Sequence, residues 1–208
     1  MKNINFLVSS IILALLLNAC GDSTNTNNTD GNKTDTNKTN LSKKLILTSN
    51  DIKPNGLIEH NLSGNGNGEN PQLSWDNIPT NTKGYAFIMD DLSTKTAKEE
   101  AIVHWNFFTD KLTVKSIDRN SSSTKNISTN IREGTNYDYT KKYAPPYPPQ
   151  GETHIYQFCI YAMNSITANI NIETSFSNDG FKKKYQSNII EESCFKASYK
   201  DTSLIEGN

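Results

Sequence analysis

Two histidines, a tyrosine and an aspartate are the side chains here best suited to chemistry, and all four sit at the edges of apolar runs. Asp90-Asp91 follows Ile88-Met89, His104 lies within Val103 to Phe108, and His154 and Tyr156 flank Ile155 at the start of another run. Imidazole N–H and phenol O–H groups are donors that suit oxyanions, and a protonated imidazole adds charge-assisted strength. A carboxylate such as Asp91 beside a histidine orients the ring and favours its cation. His154 and Tyr156 are two residues apart, so they share one face of a strand. Before them comes Ala144-Pro145-Pro146-Tyr147-Pro148-Pro149-Gln150-Gly151, with four prolines in five positions. That makes a stiff, extended loop without backbone donors, able to wall a pocket. Periodicity alone does not bring His104 and Asp91 to His154.

Other chemistries compete for the same residues. Two His and one Asp could hold zinc with an open fourth position, but no His-x-x-x-His or His-x-His spacing occurs. A hydrolase could use His and Asp as acid and base, but no Gly-x-Ser-x-Gly accompanies the plentiful serines. No cofactor is called for. His60 lies in a Gly/Asn-rich stretch and reads as a surface loop. Cys159 and Cys194 form either a bridge or two isolated buried thiols, and both readings stand.

These side chains need strands to position them. Short runs separated by Gly, Asn and Pro clusters predict strands at Leu45 to Thr48, Gln72 to Trp75, Tyr85 to Met89, Ile102 to Phe108, Ile155 to Ala162, Ile170 to Ile172 and Cys194 to Tyr199. Tyr85 to Met89 and Ile160 to Met163 are nearly continuous in apolar residues and read as central strands buried on both faces. Trp75 reads as a core anchor. Phe181, Tyr185 and Ile189 recur every four residues and predict one helix over Asp179 to Ile190, with Lys182 to Lys184 on its solvated face. The class is mainly β with minor helix.

The whole chain has 208 residues, 34% hydrophobic, with mean hydropathy -0.64, which excludes a multi-span membrane protein. With 21 basic and 22 acidic side chains it offers no electrostatic case for nucleic acid. Lys2, an apolar run from Phe6 to Leu17 and the ending Leu17-Asn18-Ala19-Cys20 read as a signal peptide over residues 1–19. The run is shorter than the ~20 apolar residues of a spanning helix. Its ending closely resembles a bacterial lipobox, so Cys20 is expected to carry the lipid that anchors the chain to a membrane. Residues 20–40 then hold this Cys and an Asn/Thr-rich tether. Residues 21–40 have no apolar side chain, and twelve of them are Asn or Thr. Such a segment is expected to stay disordered, with a span of about 25 Å. A domain is expected over 41–200, and a tail over 201–208. The localisation expected is the bacterial cell envelope, outside the cytoplasm. Acidic-x-Asn-x-Ser/Thr patterns mark Asn32, Asn37, Asn61 and Asn120 for N-glycosylation, against a background of 28 Asn that makes such patterns cheap.

Four of these segments together resemble the phosphatidylethanolamine-binding protein family, also called Raf kinase inhibitor-like proteins, and most closely its bacterial branch. Pro71-Gln72-Leu73-Ser74-Trp75 is similar to the family's Pro-x-Leu-Ser-Trp, followed at compatible spacing by Ile78-Pro79 and the strand that ends in Asp90-Asp91. Val103-His104-Trp105 is similar to its Val-His-Trp. Pro146-Tyr147-Pro148-Pro149 looks like its Gly-Pro-x-Pro-Pro loop, and His154-Ile155-Tyr156 like its His-Arg-Tyr. The similarity covers about residues 43–200. It implies a large β-sheet packed on a smaller one with a few peripheral helices. It also implies a small pocket for phosphate, phospho-headgroups or carboxylates, built by Asp91, His104, Pro148, His154 and Tyr156. A protein partner is a second implication, because the family includes inhibitors of kinases and of a peptidase. A third reading is an envelope or adhesion protein that has kept the fold and lost the pocket. Two departures stand out. Asp91-Leu92-Ser93-Thr94-Lys95 replaces the family's Asp-Pro-Asp-Ala-Pro, so the loop after Asp91 is expected to be looser. Ile155 replaces the Arg, so the pocket's rim is expected to differ and its affinity to be lower.

Overall fold

The computed structural model describes residues 43–166 and 175–202. The strand expected at Ile170 to Ile172, the signal peptide and the tether lie outside them. In chain order the elements are β1 (Ile46–Thr48), β2 (Leu73–Asp76), β3 (Gly84–Asp91), β4 (Ile102–Thr109), β5 (Ser116–Ile117), β6 (Arg132–Glu133), β7 (Thr153–Met163), α1 (Asn178–Tyr185) and β8 (Ile189–Lys200). They form a three-stranded sheet, β1-β2-β5, and a five-stranded sheet, β6-β4-β3-β7-β8, with antiparallel pairing throughout.

The large sheet is buried on both sides along its central strand. All eight residues of β3 are buried, as its unbroken apolar run requires. Tyr85, Phe87 and Met89 face a core shared with Leu47, Leu73 and Trp75 of the small sheet. Ala86 and Ile88 face a second core closed by Phe181 and Tyr185 of α1. Trp75 anchors the first core, 5.5 Å from the Tyr85 ring and 6.0 Å from that of Phe107. Such ring pairs add about 0.5–1.5 kcal/mol each beyond their burial.

The predicted helix stops early. Ser177 caps α1 by accepting from Gly180 N at 3.1 Å, but the helix ends at Tyr185, and Gln186–Asn188 make a 3-10 turn. Asn164 N donates to Asn188 O at 2.9 Å, and Ile189 then pairs with Met163. The β-branched pair Ile189-Ile190 gains ladder hydrogen bonds there that another helical turn would forgo. The last strand accordingly starts at Ile189, not Cys194. Lys183 and Lys184 are exposed on α1, and Lys182 pairs with Glu192 at 3.3 Å.

Cys159 and Cys194 are direct cross-strand partners on β7 and β8, with Cα atoms 4.2 Å apart and sulfurs bonded at 2.07 Å. Cys159 is buried, while Cys194 is exposed.

Candidate functional site

Asp90 and Asp91 are adjacent on β3 and therefore point to opposite faces. Asp90 turns under α1, where its carboxylate accepts from Asn178 N at 2.8 Å and Asn178 Nδ2 at 2.7 Å. Burial pushes its pKa up to about 6, against those two bonds. Asp91 faces the other way, directly opposite Tyr156 of β7. Its Oδ1 accepts from Ser93 N at 2.9 Å, capping the 3-10 turn Leu92–Thr94. Its Oδ2 lies 2.6 Å from His154 Nδ1.

A bulge delivers His104. Met89 pairs with Trp105 but Asp90 pairs with Val103, so His104 is the extra residue on β4. The break in alternation brings its ring to the face that carries Tyr156. The two rings meet edge-on with centroids 5.1 Å apart, and Tyr137 covers His104 at 4.9 Å. Ala144 clamps the bulge. Its N–H donates to His104 O at 2.9 Å, and its carbonyl lies 2.9 Å from His104 Nδ1. Asn136 shapes the turn that carries Tyr137, accepting from Asp138 N and Thr140 N.

The two histidines are pushed in opposite directions. His104 is 3% exposed, and burial pushes its pKa below 6.5. The bond to Ala144 and the charges of Asp91 and Asp138 oppose this, while His154 reinforces it. For His154, burial also works against the cation, but the bonds and charges of Asp91 and Glu152 outweigh it and its pKa lies above 6.5. Glu152 Oε2 sits 3.3 Å from His154 Nε2. Burial raises the Tyr156 pKa strongly, with help from the Asp91 charge, so the phenol keeps its proton. Asp91 lies near enough to weigh on the phenol, yet no acceptor meets hydrogen-bond geometry at Tyr156 Oη.

Among the described residues, buried side-chain atoms without a hydrogen-bond partner are His104 Nε2, Tyr156 Oη, Trp75 Nε1, Tyr85 Oη and Asn106 Oδ1. The first two adjoin the Asp91–His154 pair. A buried polar group left without a partner costs about 1–3 kcal/mol, so their placement side by side calls for an explanation.

Asp91, His104, His154 and Tyr156 therefore converge. Pro148 is buried in its loop; that loop reaches the site through Ala144 and is tied elsewhere by Pro146 O, which accepts from Gly64 N at 2.8 Å. The loop after Asp91 is not loose. Besides the Asp91 cap, Thr94 Oγ1 donates to Asp91 O at 2.7 Å, and Ile155 N donates to Ser93 Oγ at 2.9 Å. Ile155 is 46% exposed, its side chain on the opposite face from His154. His60 is exposed, as is Asn61, while Asn120 is half-buried; Asn32 and Asn37 lie outside the described residues. The sequence reading missed Tyr137, the Ala144 carbonyl and Glu152. Glu152 precedes His154 by two and shares its face, so alternation alone could have flagged it. Two surface hollows of about 440 Å³ lie elsewhere, one beside Lys182 and Glu192, the other beside Glu133 and Lys142. Among the described residues no three His, Cys, Asp or Glu side chains are grouped to hold a metal ion.

A two-sheet β-protein with a small polar site at the end of its central strands is the class defined so far. Residues 48–200 match the phosphatidylethanolamine-binding protein family, and the chain belongs to it. It is 25% identical over 146 residues to a UPF0098 protein of Methanothermobacter thermautotrophicus, covering 70% of this chain and 92% of that one. The solved structure of Escherichia coli YbcL, described as a member of the mammalian family, superposes with a TM-score of 0.64 at 21% identity, covering 76% of this chain and 99% of that one. A homologue from Chlamydia trachomatis gives 0.62 at 21% identity, covering 76% and 98%. The structural likeness establishes the shared fold.

Proposed function

We propose that this protein is a lipid-anchored, extracytoplasmic binding protein of the Raf kinase inhibitor-like branch, which holds a small oxyanion without turning it over. The observation that carries the binding reading is the pair of buried, unpartnered groups, His104 Nε2 and Tyr156 Oη, beside the Asp91–His154 pair. A ligand oxygen at that position gains hydrogen bonds the protein does not supply. His154, whose pKa Asp91 and Glu152 raise, adds favourable charge when it is protonated. Attachment to a membrane is supported by the Leu17-Asn18-Ala19-Cys20 ending and the tether that follows.

Titration calorimetry with phosphate and phosphoethanolamine tests the binding reading. Saturable heats are expected, weakened about tenfold or more in His154→Ala (~1.4 kcal/mol). Identical heats for the two proteins would refute it. For the anchor, full-length protein is expected in the membrane fraction and Cys20→Ala in the soluble fraction; equal partition would end that part.

A further inference from the structure

We infer that the hollow between β6 and the 122–127 and 140–142 turns is a second ligand site, which takes a primary ammonium joined by a short apolar stem to a carboxylate, as in an ω-amino acid or a chain-terminal lysine. Glu133 at its floor receives the ammonium, and Lys125 and Lys142 at its mouth receive the carboxylate. The inference does not rest on the pocket around His104.

The floor is a carboxylate with one oxygen used and one to spare. Trp105 Nε1 donates to Glu133 Oε1 at 2.8 Å, and Ser122 Oγ donates to the same oxygen. Ser122 is itself fixed, because its Oγ accepts from Tyr143 N at 2.8 Å. These bonds orient the carboxylate without reaching Oε2. That oxygen makes no bond among the described residues, and it is not among the buried unpartnered atoms, so it opens into the hollow. A carboxylate accepts through both oxygens, so Oε2 is a ready acceptor for a donor that enters. Burial pushes the Glu133 carboxyl above its ordinary range against the two bonds, and no cation relieves it. An ammonium beside it would favour the charged form that burial disfavours.

The cations of the hollow stand apart from this carboxylate, at the exposed mouth. Lys125 occupies the left-handed region with φ 60°, which a lysine enters at a cost. The turn is held there by Lys125 N donating to Ser122 O at 3.1 Å and Asn126 N to Ser121 O at 2.7 Å. Lys142 is positioned by its carbonyl, which accepts from Asn136 Nδ2 at 3.0 Å. Both lysines are exposed, and neither pairs with a carboxylate among the described residues. Between floor and mouth, Ile127 is half-buried against the first core and offers an apolar wall. The volume of about 440 Å³ suits a small molecule. A plain anion that entered would face Glu133, and a plain amine would leave the lysines unpaired. A molecule with its two charges separated by methylenes satisfies both ends and covers Ile127 between them.

Titration calorimetry of the wild-type protein with 6-aminohexanoate tests this, with Nα-acetyl-lysine, hexylamine and hexanoate alongside. The first two are expected to bind saturably. Hexanoate, without the ammonium, is expected to bind about tenfold or more weakly than 6-aminohexanoate. Hexylamine, which forgoes only the exposed lysines, should bind about two- to fivefold more weakly. Glu133→Gln keeps an acceptor for Trp105 and Ser122 and removes the charge, and is expected to lower 6-aminohexanoate affinity about tenfold or more. Lys125→Ala with Lys142→Ala should lower it about three- to tenfold. Carboxyl NMR of the wild type should find the Glu133 pKa falling as 6-aminohexanoate is added. Tighter binding of 6-aminohexanoate assigns the site to a free ω-amino acid, and tighter binding of Nα-acetyl-lysine to a chain-terminal lysine; either supports the inference. Hexanoate binding as well as 6-aminohexanoate, a Glu133 pKa that does not move, or no heat from either zwitterion would overturn it. If Glu133→Gln does not fold, the lysine double variant and the NMR titration decide.

Discussion

Asp91→Asn separates the charge of this carboxylate from its structural duty. The Asn oxygen can still accept from Ser93 N, so the cap on the Leu92–Thr94 turn is kept. What is lost is the anion at 2.6 Å from His154 Nδ1. Asp91 is 2% exposed and the His154 side chain 14%, so solvent screens their bond little. A hydrogen bond between charged groups in such a place contributes about 1.5–3 kcal/mol. For a domain of this size that corresponds to roughly 3–12 °C in melting temperature. The sign follows from linkage. His154 has a folded pKa above 6.5, so its contribution to stability is complete below 6.5 and is lost as pH rises through the folded value. In the variant, burial is opposed only by the exposed Glu152, and His154 is expected to titrate lower. The stability gap between wild type and variant should therefore be widest below about pH 6.5 and narrow as pH rises through the folded value. Thermal melts across that range measure the gap. Imidazole NMR signals report the titration, with three histidines to assign. A gap that does not change with pH, or a His154 signal that titrates identically in both proteins, would refute the reasoning.

Glu152→Gln removes the carboxylate that competes for His154 Nε2 and is expected to strengthen phosphate binding by about two- to fivefold, as for a half-screened surface pair; calorimetry that shows weaker binding would count against this role. Cys159→Ala with Cys194→Ser opens a loop of 35 residues and should lower stability by about 4 kcal/mol in urea unfolding; a loss under about 1 kcal/mol would show that the bridge constrains little. Asp90, with its pKa pushed up to about 6, binds its proton more tightly folded than unfolded, so its contribution is present at low pH and lost between about pH 4 and 6, on the order of 3 kcal/mol. Carboxyl NMR should find it titrating near 6, and a value near that of an ordinary aspartate would be the contrary result.

The strands that carry the site were legible because their residues leave little choice. Tyr85 to Met89 is too apolar to face water on either side, and all of β3 is buried. The His154 and Tyr156 face followed from alternation. The placement of His104 did not, because its bulge exists only in the pairing of β4 with β3 and has no signature in β4 alone. For the same reason the pattern pointed past Tyr185, where a four-residue periodicity in Phe181, Tyr185 and Ile189 competed with pairing partners more than twenty residues away. β5 and β6, two residues each, are too short for any period. Tyr137 reaches His104 through a turn built by one asparagine, in a chain where asparagine is too common to single out.

The loop after Asp91 shows how one site can be fixed by two different means. In the family pattern, prolines restrict the chain covalently behind the acid. Here Leu92-Ser93-Thr94 does the same work with hydrogen bonds. Ser93 N and Thr94 Oγ1 bond back to Asp91, and Thr94 Oγ1 also accepts from Ile102 N at the start of β4. Ser93 Oγ accepts from Ile155 N on β7. The turn is thus tied to both strands that supply the histidines. It leaves Asp91 Oδ2 free of these ties and directed to His154. The change from Arg to Ile at 155 is compatible with this arrangement, because the connection to the loop runs through the backbone N–H of residue 155, whatever side chain it bears. Rigidity at the acid is therefore retained while the charge at the rim is given up.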